Sequence, residues 1–578
     1  MLRVEHQATF IVGHELIVAI TSHYVDNNFI LQEDLLDFSE VDMCHNEINL
    51  AEYIYKVLFQ YEIYQKLFCI TTDNASNNDT TCEELSDLLY DSHQIDWDPK
   101  KHHIACLAHV INLAVQSFLK NIKVAQMTEV EIFALPSAAP AQLPVVPSES
   151  SKQRPRSSSA KGKASLKVKG TPSTEAAPSI NDFGSTIKKL RKISAAINFP
   201  RSRTRDFWMF CKAKNLKQMK AVHDNDTRWN GTCCMIERAV YLQEAINPWV
   251  QSRLELKEFA LSNREWELAE FLLRFLEPFR HATNSIQATG RPTLHQTFIM
   301  YEKLFNNLDN VKAIFEKMEA VPEWFEEVRN AINSMWTKLK DYYTKTKHPS
   351  AYVDANILHP AKKLSLFKKK DSSFADIPGQ AGIYEAQARE RFETIYNTQA
   401  ATSVDELNPR KRKRMSDDPD YKSETSSDDD TFDYNEFDHF LRTKRDKTVR
   451  DGLVWWRSSH GMFPKTSLWY RDVAAVPASG AGVEREFSIS GNVATKKRNR
   501  LTAKTISDTM IYKRWCARRG NPIPDIMEVV MLEEYEENDS DVESEFDERN
   551  YELEAWLAVW MEKKDLGMAA EQLFSEEL

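Results

Sequence analysis

Apolar residues in the first 120 positions change repeatedly between strand-like and helix-like spacing. Residues 10–25 are dominated by β-branched and aromatic side chains, which predicts one long β-strand. Turn-forming residues 26–28 follow, and a second apolar run begins at Phe29, so the pattern predicts a β-hairpin. Helical spacing over residues 49–67 leads into a short buried strand that ends at Asp73. This alternation predicts an α/β layer architecture.

Changes in composition divide the rest of the chain. Residues 134–182 are rich in Ala, Pro, Ser and Lys and poor in large apolar residues, which predicts disorder. Apolar residues then recur at three-and-four spacing, which predicts helices. The expected domains are an α/β part at 1–120, a disordered insertion at 134–182, a helical domain at 183–398, a charged disordered linker at 399–445, a helical C-terminal region at 446–516 and an acidic tail at 521–578.

Composition and charge restrict the class of protein. No apolar run reaches the roughly 18 residues needed to span a bilayer, and the first residues lack a signal-peptide layout, so we expect an intracellular protein without a membrane partner. The eight cysteines form no CxxC pair, which predicts reduced, mostly buried thiols. From Asn521 onward the chain holds 19 acidic and 3 basic residues, so the net charge of -11 becomes about +5 without this tail. A weakly basic body is compatible with a nucleic-acid partner but does not establish one.

Four short motifs follow one another in a distinctive order. They are Thr72-Asp73-Asn74-Ala75-Ser76-Asn77-Asn78, Cys106-Leu107-Ala108-His109-Val110-Ile111-Asn112-Leu113, Asp226-Thr227-Arg228-Trp229-Asn230, and a C-terminal set with Trp455-Trp456, Phe463-Pro464, Pro477-Ala478-Ser479, Val483-Glu484-Arg485-Glu486-Phe487-Ser488 and Asn499-Arg500-Leu501. In this order they resemble the DNAxN, CxxHxxNL, TRWNS and SERxFS-containing motifs of hAT-superfamily transposases. Gly231 and Val483 each stand where the family motif has Ser. The resemblance extends over nearly the whole chain apart from the linkers and the tail.

This resemblance implies a particular fold. The family has a ribonuclease-H-like sheet, interrupted by a large helical insertion and completed by the C-terminal region. We therefore expect an α/β plus all-α protein with that sheet, disordered linkers and an acidic tail. The first strand is expected to be truncated, and residues 446–516 are expected to complete the core and to dimerise.

The catalytic chemistry implied by the resemblance is incomplete in this sequence. Strand cleavage on such a fold needs three carboxylates around two divalent cations, and the matching positions are Asp73 and Glu484. The first carboxylate belongs to a DxWT motif, yet no Asp precedes Asp26, and Glu5 is the only carboxylate near the expected position. The family's BED-type zinc finger has no counterpart, because no CxxC…HxxxH pattern is present. We expect a degenerate DDE-type transposase without efficient transposition and without a resident cofactor. Mg²⁺ or Mn²⁺ would bind at Asp73 and Glu484 if activity remains.

Other residues are candidates for binding partners. DNA contacts are expected from Arg228, Trp229, Lys496, Lys497, Arg498 and Arg500 and from the basic segment 152–169. Self-association as a homodimer or higher homo-oligomer is expected to use Trp455, Trp456, Phe463, Pro464, Trp469, Phe487 and Leu501. The cluster Arg410, Lys411, Arg412, Lys413 and Arg414 matches a short nuclear-import signal, which predicts the nucleus as the location.

Each candidate residue also has a structural alternative. Asp73 could cap a helix, and Glu484 could be a solvated surface charge. Cys106 and His109 match half of a metal site, but local packing is favoured because two ligands rarely hold zinc. Trp229 could stack on a flipped base, although anchoring a helix is the favoured interpretation.

Three hypotheses for function remain at this point. The first is a nuclear, transposase-derived protein that self-associates through residues 446–516 and has weak or no nuclease activity. The second is an active metal-dependent hAT transposase whose first carboxylate is Glu5 or lies in additional upstream sequence. The third is a DNA-binding, transcription-related factor, which would need a DNA-reading module that the sequence does not display.

Overall fold

A mixed five-stranded sheet forms one layer of the protein. The computed structural model describes residues 2–12, 15–41, 47–74, 77–124, 182–222, 224, 229–317, 322, 324–368, 380–397, 435–493 and 501–518. The strands are β1 (Leu2–Val12), β2 (Glu15–Val25), β3 (Leu31–Val41), β4 (Leu67–Thr72) and β5 (His103–Ala105). They lie in the order β3-β2-β1-β4-β5, with β1, β2 and β3 antiparallel and with β4 and β5 parallel to β1.

The single strand predicted over residues 10–25 is wrong, because two strands share this segment. β1 ends at Val12, β2 begins at Glu15, and these two residues are paired in the antiparallel register. β-Branched and aromatic residues continue on both sides of the reversal, so composition alone did not mark it. β1 has 11 residues and pairs with β2 on one side and with β4 on the other.

The predicted hairpin turn at residues 26–28 is confirmed. Asp26 Oδ1 accepts hydrogen bonds from the backbone N–H groups of Asn28 at 2.8 Å and Ile30 at 2.9 Å. An aspartate at this position stabilises a tight turn by satisfying the local backbone donors. The hairpin contacts the C-terminal region, because Arg471 Nη2 donates to the Val25 carbonyl at 2.8 Å.

Helices account for most of the remaining described residues. They are α1 (Glu47–Gln60), α2 (Asn77–His93), α3 (Pro99–His102), α4 (Leu107–Asn121), α5 (Phe183–Asn198), α6 (Arg201–Ala213), α7 (Trp229–Tyr241), α8 (Gln243–Gln251), α9 (Asn263–Ile286), α10 (Thr297–Glu316), α11 (Phe325–Lys345), α12 (Ser350–Ile357), α13 (Gln380–Arg391), α14 (Glu436–Arg442), α15 (Gly452–Ser459), α16 (Pro464–Ala474), α17 (Ala481–Val493) and α18 (Ala503–Arg518). Short 3₁₀ turns occupy Tyr64–Lys66, Lys257–Phe259 and Leu294–Gln296, and a π-helical turn occupies Phe392–Asn397. Within the described ranges, no helix has both the length and the apolar character needed to cross a bilayer.

Helices cover both faces of the sheet. On one face, Val18 and Ile20 of β2 pack in a cluster with α1 and α2. On the other face, Ala19 and Phe38 pack against α17 and α18, with Phe38 and Phe487 ring centroids 5.4 Å apart. Successive residues of β2 point to opposite faces, so a strand buried on both sides is apolar throughout rather than alternating.

The chain divides into two compact units, one formed by residues 119–276 and the other by residues 1–118 with 277–578. Helical spacing alone placed residues 183–398 in one domain. The later helices of that range instead contact the sheet-containing unit: Tyr352 Oη of α12 donates to the Ala105 carbonyl at 3.4 Å. Helical periodicity identifies an apolar face but does not identify its packing partner.

The described part of residues 119–276 is mainly helical and has its own core. Phe207 and Trp249 pack edge to face with ring centroids 5.3 Å apart, and both side chains are fully buried. The buried Arg191 guanidinium pairs with the buried Asp224 carboxylate, with 2.6 Å between Nε and Oδ2. A buried charge of this kind is tolerated because its partner and further hydrogen bonds replace water.

Aromatic side chains fill the core between α14, α15 and α16. Trp456 is fully buried, its ring stacks on Tyr470 at 5.5 Å, and its Nε1 donates to the Leu358 carbonyl at 2.9 Å. Gly452 begins α15 against Tyr470, where an added Cβ would overlap the phenolic oxygen and lie 2.7 Å from Cζ. The missing side chain at Gly452 therefore allows this close packing.

We predict that Gly452→Ala destabilises the protein by about 1–3 kcal/mol, because the new methyl overpacks a buried site. Thermal unfolding would measure this. Gly461→Ala is the matched control, since its Cβ would meet nothing within 4 Å. Adding Tyr470→Phe to Gly452→Ala removes the nearest overlapping atom and is expected to restore part of the loss. Equal stability of the two alanine variants would contradict the packing argument.

Candidate functional site

Asp73 lies directly after β4, at the carboxyl end of the parallel strands. Its side chain is 8% exposed, and Asn78 Nδ2 donates to both Asp73 Oδ1 at 2.6 Å and the Asp73 carbonyl at 2.9 Å. Asn78 belongs to the first turn of α2, so the start of this helix fixes the carboxylate. The hydrogen bond from a neutral amide orients Asp73 without neutralising its charge.

Cys106 follows β5 directly and bonds both to the end of β4 and to the segment before α17. Its backbone N–H donates to the Thr72 carbonyl at 2.9 Å, and its carbonyl accepts from Asn74 Nδ2 at 3.2 Å. Its Sγ accepts from the Gly480 N–H at 3.2 Å and is completely buried. These contacts support the interpretation of Cys106 as a packing residue rather than a metal ligand.

The segment 477–480 crosses the ends of β4 and β5 before α17 begins. Thr71 Oγ1 donates to the Pro477 carbonyl at 3.2 Å, and the Leu107 N–H donates to the Ala478 carbonyl at 2.9 Å. The Ala478 N–H in turn donates to Thr293 Oγ1 at 3.0 Å. Motifs separated by about 370 to 400 residues in sequence therefore meet at one edge of the sheet.

Glu484 lies in the first turn of α17, immediately after this crossing segment. Gln287 Nε2, from the end of α9, lies 3.4 Å from Glu484 Oε2. A carboxylate in the first turn of a helix interacts favourably with the helix dipole. The sequence did not predict Gln287, because no motif marks a residue at the end of a long helix.

The backbone register of β1 identifies the positions beside Asp73. Glu5 pairs with Thr71 in the parallel β1–β4 ladder. Continuing both strands by two residues places Gln7 level with Asp73. Glu5, the only carboxylate that sequence analysis offered for the first catalytic position, therefore lies two residues before that level.

The described surroundings of Asp73 and Glu484 contain neutral amides as well as these two carboxylates. Within the described ranges, no group of three or more His, Cys, Asp and Glu side chains is arranged to hold a metal ion. The described neighbours of Asp73 and Glu484 include the side-chain amides of Asn78 and Gln287. Two metal ions bridged by substrate need several carboxylates to balance their charge.

An ion-pair cluster joins α17 and α18 to β3. Arg485 Nη2 donates to Glu33 Oε2 at 2.9 Å, and Arg514 Nε donates to the buried Glu486 at 2.6 Å. Arg514 also lies 3.7 Å from Glu33. Burial acts to raise the pKa of Glu33, but the positive charges of His23, Arg485 and Arg514 outweigh it and hold the pKa below its usual value. This cluster positions the helix that carries Glu484.

A second polar chain links α2 to β4 and β5. His103 Nε2 lies 2.8 Å from Thr72 Oγ1, and His103 Nδ1 lies 3.2 Å from Asp79 Oδ1. The hydrogen bond with His103 is the largest cause that lowers the pKa of Asp79. The contacts hold the start of α2, and hence Asn78, against the ends of the two strands.

Most residues predicted to dimerise are covered within the chain itself. Trp456, Phe463, Trp469 and Phe487 are buried, Trp455 and Leu501 are half-buried, and Pro464 is exposed. Aromatic residues in a helical region are compatible with either a core or an interface, so sequence alone did not separate these roles.

The predicted DNA-binding and import residues are mostly outside the described ranges. Trp229 is described and is buried at the start of α7, which supports its packing role. Arg228, Lys496, Lys497, Arg498 and Arg500 lie outside the described residues, as do the segment 152–169 and the cluster Arg410, Lys411, Arg412, Lys413 and Arg414. None of the described cysteines is joined to another by a disulfide bond.

Comparisons with protein families match three parts of the chain. Residues 13–100 match the ZBED1 RNase-like domain, residues 174–275 match the ZBED1 RNase-like helical domain, and residues 433–516 match the hAT family C-terminal dimerisation region. These regions correspond to β2, β3 and β4 with α1 and α2, to most of the described helical unit, and to α14 through α18.

Similar curated proteins include transposases and a regulator. The chain is 23% identical over 510 residues to a putative transcriptional regulator, tpeD, of Talaromyces stipitatus, which covers 86% of this chain and 51% of that protein. It is 20% identical over 525 residues to a putative AC transposase of Zea mays, covering 87% and 55%. Over 304 residues it is 23% identical to the zinc finger BED domain-containing protein DAYSLEEPER of Arabidopsis thaliana, covering 50% and 40%. The chain thus spans about half the length of the curated relatives that it matches.

We predict that Glu33→Gln lowers the melting temperature at pH 7 by about 2–4 °C and flattens its acid dependence. The pKa of Glu33 is lowered by folding, so its stabilising effect is present above the unfolded value of about 4.3 and is lost as pH falls through the folded pKa. Thermal unfolding at stepped pH would measure this effect. Glu52→Gln is the control, because Glu52 forms only an exposed pair with Lys56 at 4.0 Å. The same acid dependence in the Glu33 variant and the unmodified protein would exclude the cluster as its source.

Proposed function

Because this chain is a member of the hAT superfamily of transposase-derived proteins, we propose that it acts in the nucleus as a self-associating protein without efficient transposition. The observation that carries this proposal is the match of residues 433–516 to the hAT C-terminal dimerisation region. The nuclear location rests on the basic cluster at residues 410–414.

Exposed apolar side chains support self-association through this region. Val454 is 66% exposed and Met462 is 61% exposed, although their neighbours Trp456 and Phe463 are buried. Exposed apolar side chains that cluster are typical of a surface that a partner covers, and Val454, Met462 and Leu468 lie on the successive helices α15 and α16 and the turn between them. We propose that the buried aromatic residues support this surface and that Val454, Met462 and Leu468 contact a second copy.

We also propose that the sheet is ribonuclease-H-like and that the helical unit is an insertion in it. The strand order, with three antiparallel strands followed by two parallel ones, supports this assignment. The crossing segment 477–480 supports it further, because the chain returns to the sheet after the helical unit and before Glu484.

The proposed loss of chemistry rests on the carboxylate positions. Asp73 and Glu484 remain as the second and third carboxylates, and each is oriented by a side-chain amide. The β1 position level with Asp73 is Gln7, whose neutral side chain is a poor substitute for a bridging carboxylate.

A second candidate function is an active, metal-dependent hAT transposase. The observation in its favour is that Glu5 lies on β1, the strand that pairs in parallel with β4. An active enzyme would then need Glu5 to reach the metal ions beside Asp73, although Glu5 lies two residues before the β1 position that is level with Asp73. A transcription-related role is suggested by the name of the fungal relative and would require a DNA-contacting surface.

We predict that the chain is at least dimeric and that Val454→Asp with Met462→Asp lowers its molar mass to that of a monomer. Two buried carboxylates would oppose any apolar contact at this surface. Light scattering after size exclusion would measure the mass. Leu254→Asp is the control, because Leu254 is 90% exposed but lies outside the dimerisation region. A monomeric unmodified protein, or an unchanged mass in the double variant, would contradict the proposed interface.

We predict no cleavage or strand transfer above background on DNA that carries candidate element ends, with either Mg²⁺ or Mn²⁺. Asp73→Ala and Glu484→Ala are expected to show the same background level of cleavage as the unmodified protein. The reason is that the unmodified protein already lacks part of the negative charge needed to hold two cations. All samples should first be shown to be folded and self-associated. Cleavage by the unmodified protein that is lost in Asp73→Ala, in Glu484→Ala and in Glu5→Gln would instead establish an active transposase.

A further inference from the structure

One face of α6 in the helical unit is exposed and basic. Thr204, Phe207 and Cys211 are buried on the opposite face of this helix. Arg201, Arg205, Met209 and Lys212 are exposed. At 3.6 residues per turn these four positions form a single stripe, and its ends are about 16 Å apart along the axis.

An extended segment after α6 runs back beside the helix and carries Lys214, Lys217 and Lys220. Trp208 Nε1 donates to the Met219 carbonyl at 3.3 Å, and Asn198 Nδ2 donates to the Ala221 carbonyl at 2.8 Å. Arg238 Nη1 donates to the Lys220 carbonyl at 2.7 Å. These hydrogen bonds hold the segment in place, so its exposed lysines have fixed attachment points.

Six cations lie on this helix face and on the segment held beside it, and together we call them the basic strip. They are Arg201, Arg205, Lys212, Lys214, Lys217 and Lys220, all of them exposed. Across the part of the chain that the structure describes, none of the six forms an ion pair with a carboxylate within 4.0 Å.

The acidic residue within this stretch is already neutralised. Asp206 is the one carboxylate among residues 199–220, and it pairs with Arg253 and accepts from Trp249 Nε1 at 3.0 Å. Arg203 lies 3.7 Å from Glu255 and is therefore not counted in the strip.

We propose that the basic strip binds the phosphate backbone of DNA. A length of about 16 Å matches about five consecutive phosphates of one strand, which are spaced at about 3.4 Å along the duplex axis. Six cations held on a rigid helix face and a pinned segment would release condensed counterions without a large loss of conformational entropy.

The composition of the strip favours DNA over an anionic membrane. Among the described residues 199–220, the large apolar side chains classed as exposed are Phe199, at 67%, and Met209, at 63%. An interfacial membrane helix needs a broad apolar face, but the apolar face of α6 is buried in the unit. Phosphate contacts carry no base specificity, so the strip would bind DNA of any sequence.

This inference is independent of the proposed self-association. The strip lies in the 119–276 unit, outside the region matched to dimerisation, so the two properties can fail separately.

Binding of the full chain to a labelled mixed-sequence duplex would test the strip by fluorescence anisotropy across about 50 to 200 mM salt. We expect Arg201→Gln with Arg205→Gln and Lys212→Gln to weaken binding by about tenfold or more. The slope of log affinity against log salt should become shallower by about 3, since each lost phosphate contact removes about 0.9. The molar mass by light scattering should stay unchanged.

Lys317→Gln with Lys338→Gln and Lys347→Gln is the matched control, because it removes the same charge from exposed positions outside the strip. Equal losses in both triple variants would reduce the effect to net charge and overturn the proposal. Unchanged DNA binding in the strip variant would also overturn it. A third contrary result is a strip variant that binds DNA normally but no longer binds vesicles of anionic lipid. That result would assign the strip to a membrane surface.

Discussion

The return of the chain to the carboxyl ends of β4 and β5 is the constraint on which the rest of the sheet-containing unit depends. Backbone groups of Ala478 and Gly480 bond to Leu107 and Cys106, so the C-terminal region is part of the core rather than an appended module. A loop closed over several hundred residues costs only slightly more entropy than a short one, because the cost grows with the logarithm of length. The helical unit can therefore be inserted in the sequence between the two halves of the sheet-containing unit without preventing the association of those halves.

Ion pairs around α17 determine how this helix is oriented against the sheet. Glu486 is almost completely buried and would be costly without the Arg514 guanidinium beside it. Glu33 on β3 pairs with Arg485, the neighbour of Glu486 in sequence. Because successive helical residues point about 100° apart, the two pairs together fix the rotation of α17 about its axis. The apolar contact of Phe487 with Phe38 favours burial of this face but specifies its orientation less strictly.

Local patterns in the sequence predicted the elements better than their partners. The hairpin turn at Asp26 and the strand before Asp73 were predictable, because turn chemistry and short apolar runs are local signals. The reversal between β1 and β2 was not, since β-branched residues occupy both strands. Glu33 and Gln287 were missed for a different reason: each acquires its role from a residue more than 190 positions away. The order of the motifs indicated which residues meet near Asp73. The β1 residue level with Asp73, in contrast, could be inferred only from the strand register.

The contacts around Asp73 and Glu484 also explain why these residues are a weak indicator of activity. Asn78, Cys106 and Thr293 hold the strand ends and the crossing segment, so they are needed for folding whether or not DNA is cleaved. Removing one partner of such a buried hydrogen bond costs about 1–3 kcal/mol, a large part of the stability of a typical domain. Folding alone therefore accounts for the arrangement around both carboxylates. β1 differs, because exchanging a carboxylate for an amide at a strand position changes the side chain without breaking the backbone ladder. The proposed loss of chemistry therefore depends on the residues of β1 rather than on the two recognisable motifs.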